Sequence, residues 1–193
     1  MPLAIPLLIC TLAFGPATPT RERARIADTI DYHVRATDPL VRAWIRNGGA
    51  ESPTLNRLLA ELTASDVIVH LVLVDRIGGG IDGQLSFVTA TPLVRYLRIK
   101  ITRLGGRADM IALIAHELQH AVEVATSPRV RDPQSLATLY LQLGDNMRDP
   151  RHFDSVAARQ TEEAVRREVL GRRGLPDDEV PLMAQFKRSH SLR

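Results

Sequence analysis

Apolar residues recur along this chain with two different periods, and the switches between them outline its elements. From Arg21 to Thr37, Ile26, Ile30, Tyr32 and Val34 stand among charges and predict an amphipathic helix that Pro39 ends or restarts. Leu40 to Arg46 continues as a short helix stopped at Gly48-Gly49. Ser52-Pro53-Thr54 then opens another, with Leu55, Leu58, Leu59 and Leu62 as its core stripe. The pattern next turns to strands. Val67 to Val74 is an almost unbroken β-branched run, as expected of a central strand covered on both faces. A flexible hairpin at Gly78-Gly79-Gly80 is expected to join it to a second strand, Gln84 to Ala90. In Arg95 to Ile101 the residues alternate, with Leu97, Ile99 and Ile101 on one face and Tyr96, Arg98 and Lys100 on a solvated one.

Helical spacing returns at Asp109, which is placed to cap a helix running to Ala125. Met110, Ile111, Leu113, Ile114, Leu118, Ala121, Val122 and Val124 surround that helix, so it reads as buried, and Ser127-Pro128 stops it. Pro133 to Leu143 is a further helix. Phe153 to Arg172 is a long one with Val156, Ala157, Val165, Val169 and Leu170 facing inward. This order predicts an α+β fold in which a small antiparallel or mixed sheet packs against the buried helix and its neighbours. One domain is expected over residues 21–173, followed by a mobile tail over 174–193.

Composition changes this picture little. The 193 residues are 45% apolar and 24% charged, ordinary for a globular chain that folds without disulfides, since Cys10 is its single cysteine. Two of the 25 basic residues are lysines, Lys100 and Lys187, and the rest are arginines scattered among acids. With no basic block interleaved with aromatics, nucleic acid is not an expected partner. Residues 1–20 carry no charge. Leu3 to Phe14 is apolar and Gly15 to Thr20 small or turn-forming, so a secretory signal and export are expected. The run is too short to span a bilayer and no later one is apolar enough, so no transmembrane segment is expected.

The chemistry lies in the buried helix. His116-Glu117-Leu118-Gln119-His120 places two imidazoles four residues apart on one helical face, a spacing that suits one zinc ion. Glu117 then sits where it can take a proton from water activated at that ion, as metal-dependent hydrolysis requires. With 6 histidines and 9 glutamates, chance supplies such a pentapeptide in roughly 1 of 100 chains of this composition. The plainer alternative is a helix whose histidines hydrogen-bond to neighbours and bind nothing.

A catalytic zinc takes three protein donors, so a third is needed. Asp154 is the leading candidate, on the next long helix beside small residues that allow close approach; Glu162 follows, and Glu163 and His152 stay open. Glu123 shares the helix of the two histidines, where ligation is crowded and a hydrogen bond to an imidazole is more natural. His152, Tyr140 and Arg148 are of a type to stabilise an oxyanion, and the strand Arg95 to Ile101 is a candidate for accepting an extended peptide.

Taken together, the motif helix after a strand and the acid on the following helix resemble the zincin metallopeptidases of the gluzincin type. More narrowly, Ser65 to Val69, Arg95 to Ile99, Ala115 to Glu123 and Phe153-Asp154 are similar to an uncharacterised bacterial family of exported HExxH proteins. That family has Phe/Tyr-Glu-Thr where this chain has Phe153-Asp154-Ser155, a donor one methylene longer. The resemblance implies a zinc metallopeptidase acting on a peptide or protein, with His116, His120 and Asp154 as ligands and Glu117 as general base. A non-catalytic relative that binds zinc or a protein is the alternative.

Overall fold

A computed structural model describes residues 33–143 and 154–171. The expected signal, residues 21–32 of the expected first helix, Arg148, His152 and the tail 174–193 lie outside the described residues. The chain order is β1 (Val34–Ala36), α1 (Pro39–Glu51), α2 (Pro53–Thr63), β2 (Val67–Leu73), a short 3-10 turn at Gly78–Gly80, β3 (Gly83–Ala90), β4 (Arg95–Ile101), α3 (Arg107–Ala125), α4 (Pro133–Leu143) and α5 (Val156–Gly171). The class is α+β with a mixed four-stranded sheet in the order β1-β2-β4-β3. No helix among the described residues is long and apolar enough to cross a membrane.

The helices cover one face of this sheet. Val34, Val67, Val69, Leu71, Leu97, Ile99 and Ile101 project from it into a core shared with α1, α2, α3 and α5. On the opposite face Ile68 is buried while His70 and Val72 are half-buried, so among the described residues the two-sided cover expected for β2 is realised only in part. His70 there accepts from or donates to Thr37 Oγ1 at 3.0 Å.

Three expected boundaries move, each because a distant partner overrides local pattern. Val34–Ala36 is a strand, not a helix end: it pairs in parallel with Val69–Leu71, and the sheet satisfies its backbone. The glycine loop does not close a hairpin between β2 and β3. β4 lies between those strands, parallel to β2 and antiparallel to β3, and the true hairpin turns at Thr91–Val94, where Thr91 N donates to Val94 O. Helix α1 runs through Gly48-Gly49 and stops at Ser52-Pro53 instead. At Gly48 a Cβ would lie 2.6 Å from Ile111 Cγ2 and 2.9 Å from Leu55 Cδ2, so the missing side chain lets α1 press against α2 and α3.

Gly48→Ala is therefore expected to destabilise the protein despite alanine's helix preference of about 1 kcal/mol. Overpacking against a β-branched side chain at such distances reaches about 3 kcal/mol, so a net loss near 2 kcal/mol should appear in urea denaturation. An unchanged midpoint would show that α1 and α3 can part freely.

Helix α3 is the centre of the fold. It is packed between the sheet and the helices α2 and α5, with Met110, Ile111, Ala112, Leu113, Ile114, Ala115, Leu118, Ala121, Val122 and Val124 all buried. Its first residue is Arg107 after Gly106, so Asp109 is not the cap; it sits in the first turn, near the positive end of the helix, and pairs with Arg166 Nε of α5 at 3.0 Å. On α5 the inward face is Ala158, Thr161, Val165 and Val169. Val156, Ala157 and Leu170 point outward, contrary to expectation. The small inward residues Ala158 and Thr161 are what let α5 lie close along α3.

Candidate metal centre

His116 and His120 leave α3 on the side facing α5, one helical turn apart, with ring centroids 5.0 Å apart and planes at 74°. Asp154 reaches the same place from just before α5. One nitrogen from each histidine and one Asp154 oxygen lie within 4.8 Å of each other. The start of α5 is set by Ser155, whose Oγ accepts from Ala158 N at 3.0 Å as an N-cap and donates to Glu123 Oε1 at 2.5 Å.

Carboxylates orient both rings from behind. His116 Nδ1 meets Glu162 Oε2 at 3.0 Å, and His120 Nδ1 meets Glu123 Oε2 at 2.8 Å. Glu162 is held ionised, its pKa pulled down to about 2 by the His116 hydrogen bond and by Arg166, against the opposing effect of burial. An ionised carboxylate only accepts, so Nδ1 of His116 carries the proton and Nε2 is left with a lone pair. Arg166 extends the chain, donating to Glu162 Oε1 at 2.6 Å and to Asp109. Glu162 and Glu123, considered above as ligands, thus stand behind the imidazoles.

Asp154 divides its two oxygens. Oδ2 accepts from Arg159 at 3.0 Å, while Oδ1 is buried with no hydrogen-bond partner among the described residues and lies 3.5 Å from His116 Nε2. Two lone-pair atoms at that separation repel unless a cation lies between them. Burial works against a charged His116, but the Glu162 hydrogen bond and the Glu117, Asp154 and Glu162 carboxylates outweigh it and hold the pKa above the ordinary range. A second proton or a metal ion answers that field. Two imidazoles and a carboxylate are a donor set suited to zinc, so the residues present fit the ion.

Glu117 is 4% exposed, and burial, only partly offset by the two histidines, pushes its pKa up. Its Oε2 is buried and has no hydrogen-bond partner among the described residues. With His116, His120, Asp154 and Glu162 it lines a cavity of about 490 Å³, whose lining also includes Gly80 to Leu85 and Tyr140. The Tyr140 ring meets His120 edge-on at 5.3 Å and 88°. Burial, followed by the charges of Glu117 and Glu123, raises its hydroxyl pKa.

The strand beside this cavity is β3, at the edge of the sheet. Strand β4, expected above to accept a peptide, is paired on both sides by β2 and β3 and has no free edge to offer. Sequence reading also passed over Ser155, Arg166 and Gly83. Ser155 carried a signal, a capping residue directly after Asp154 at the head of an apolar-periodic run. Arg166 carried one too, four residues after Glu162 on the same helix. Comparison with protein-family models, with curated proteins and with solved structures gives no match.

Proposed function

We propose that this chain is a zinc-dependent peptidase, with His116, His120 and Asp154 holding the ion and Glu117 as general base. The observation that carries this reading is the convergence of His116 Nε2 and the unpartnered Asp154 Oδ1 beside His120, with the buried carboxylate of Glu117 on the same cavity wall. Zinc bound there supplies a Lewis acid that brings the pKa of water toward neutrality and polarises a scissile carbonyl.

The chain's own groups supply the rest. Glu162 and Glu123 fix the tautomer and tilt of the two imidazoles by engaging Nδ1 of each, which leaves Nε2 of each as the donor for an ion. Glu117 takes the proton of the attacking water at Oε2 and returns it to the leaving amine nitrogen. Burial suits it to both tasks, because it lifts the carboxyl from the ordinary acidic range toward the working pH. The walls around Leu85, Leu104 and Leu113 limit competing bulk water near the reacting groups.

The test is incubation of the purified full chain with one equivalent of zinc and a random peptide mixture, read by mass spectrometry. Cleavage that a chelator stops and added zinc restores is the expected result. Stoichiometric zinc with no cleavage of any peptide would sink the peptidase reading and leave a metal-binding protein. Asp154→Ala should lower zinc affinity on the order of 100-fold or more, since loss of a direct donor exceeds the cost of losing an outer-shell partner. Competition with a chromogenic chelator measures it. An unchanged affinity would move the third donor elsewhere.

A further inference from the structure

We infer that Gly83 is the positioning residue for Glu117, an inference that rests on the role proposed for that carboxylate. Gly83 opens β3 and pairs across the sheet with Ile101, in ordinary strand geometry with a negative φ, so its backbone does not require glycine. What requires it is the approach of β3 to α3. A Cβ at position 83 would stand 2.3 Å from Glu117 Oε1, 2.8 Å from Cδ and 2.9 Å from Cγ. Three consecutive atoms of one side chain are met at once. Turning the carboxylate relieves only the first of these contacts, because Cγ moves only if χ1 changes.

Glu117 has few places to go. It is almost wholly buried on a helix whose neighbouring residues are core, and the open direction is the cavity shared with His116, His120 and Asp154. The bare backbone of β3 therefore acts as a stop behind the carboxylate. It leaves room for the Glu117 side chain to lie against the strand, with Oε1 toward Gly83 and Oε2 buried without a hydrogen-bond partner among the described residues. A methyl at position 83 fills that room and drives the base toward the ligand set. Displacement of a reacting group by about 1 Å costs on the order of 100-fold in rate.

The test is a cycle of four full-length proteins: wild type, Gly83→Ala, Glu117→Ala, and the double variant. In the presence of Glu117, Gly83→Ala should lower the thermal midpoint by roughly 3–10 °C, the range expected for overpacking in a chain of this size. In the Glu117→Ala background the same substitution should move it by about a degree or less, because the atoms it would strike are gone. Equal shifts in the two backgrounds would mean that Gly83 serves the strand and not Glu117, and would overturn the inference whether or not the protein cleaves peptides. No shift in either background would overturn it as well. If Gly83→Ala fails to fold, recovery of a folded double variant supports the coupling, and failure of both overturns it.

Zinc affinity and kinetics give a second readout. Gly83→Ala should bind zinc within about threefold of wild type while kcat falls on the order of 100-fold and KM changes little. Wild-type kcat in that variant would overturn the inference. A wild-type protein with no turnover would count against the peptidase reading alone, since the stability cycle still decides the role of Gly83.

Discussion

Glu117→Gln is expected to lose turnover by about 10²- to 10⁴-fold while binding zinc with wild-type stoichiometry and affinity. The amide keeps the shape and the burial of the native side chain but cannot accept a proton from water. It stands outside the group formed by His116, His120 and Asp154, so the metal should not register its loss. Stability supplies an independent check. In the metal-free protein, burial raises the folded-state pKa of Glu117 above its unfolded value. A carboxyl shifted upward contributes stability that is complete below the unfolded pKa and is lost as pH rises through the folded one. Above its unfolded pKa the wild type therefore loses stability that the glutamine variant, which does not titrate, keeps. Metal-free Glu117→Gln should be at least as stable as wild type at neutral pH, and this advantage should vanish on acidification. Thermal melts over a pH series measure it, and rates on one cleaved peptide measure the other half. Equal rates in the two proteins would remove Glu117 from the chemistry; a variant less stable at neutral pH would show that the carboxylate has a stabilising partner.

The parts of this site that were legible in sequence are those that depend on one helix. Spacing alone places His116 and His120 on one face and Glu123 one turn beyond His120, and residue chemistry predicts the Glu123–His120 bond that the structure shows. The meeting of Asp154 with that face was open to expectation because small residues such as Ala158 mark a close helix approach. What was not legible is whatever depends on strand order. β3 becomes the edge strand because β4 inserts between it and β2, and nothing local to Gln84–Ala90 records that insertion. The glycines mislead for the same reason. Gly48 reads as a break because glycine is commonest there, and Gly83 carries no signal of its own beside the glycine loop, yet each marks a contact whose other side, Ile111 or Glu117, lies far along the chain.

Arg95 shows how far a single such contact can reach, and Arg95→Met is expected to cost about 3 kcal/mol or more of stability. Parity puts Arg95 on the same face as Leu97, and it is 1% exposed. Its Nε and Nη2 grip Asp66 at 2.9 and 2.5 Å. Its remaining hydrogens go to the end of α3 and the turn after it: Nη1 donates to Val124 O at 2.7 Å and to Ser127 O at 2.9 Å, and Nη2 to Ala125 O at 3.1 Å. The guanidinium thus fills the place of a C-terminal cap on the helix that carries His116 and His120, with its charge at the negative end of the helix dipole. Methionine matches the volume but takes those donors away, leaving Val124 O and Ser127 O with the backbone N–H groups of Ser127 and Val130, and it leaves the Asp66 carboxylate without its Arg95 partner. The partial exposure of Asp66 lets water take up some of the loss, which is why the lower end of the range for broken buried pairs applies. The pH dependence follows from the same pair. Arg95, chiefly through its hydrogen bond, holds the Asp66 pKa below the ordinary value. A lowered carboxyl contributes stability that is present above its unfolded pKa and is lost as pH falls through the folded one. The gap between wild type and Arg95→Met in urea should therefore be widest near neutrality and narrow at acid pH, without closing, because the bonds to Val124, Ala125 and Ser127 do not titrate. A difference under about 1 kcal/mol at neutral pH, the size of an ordinary surface pair, would show that the end of α3 holds without this clamp.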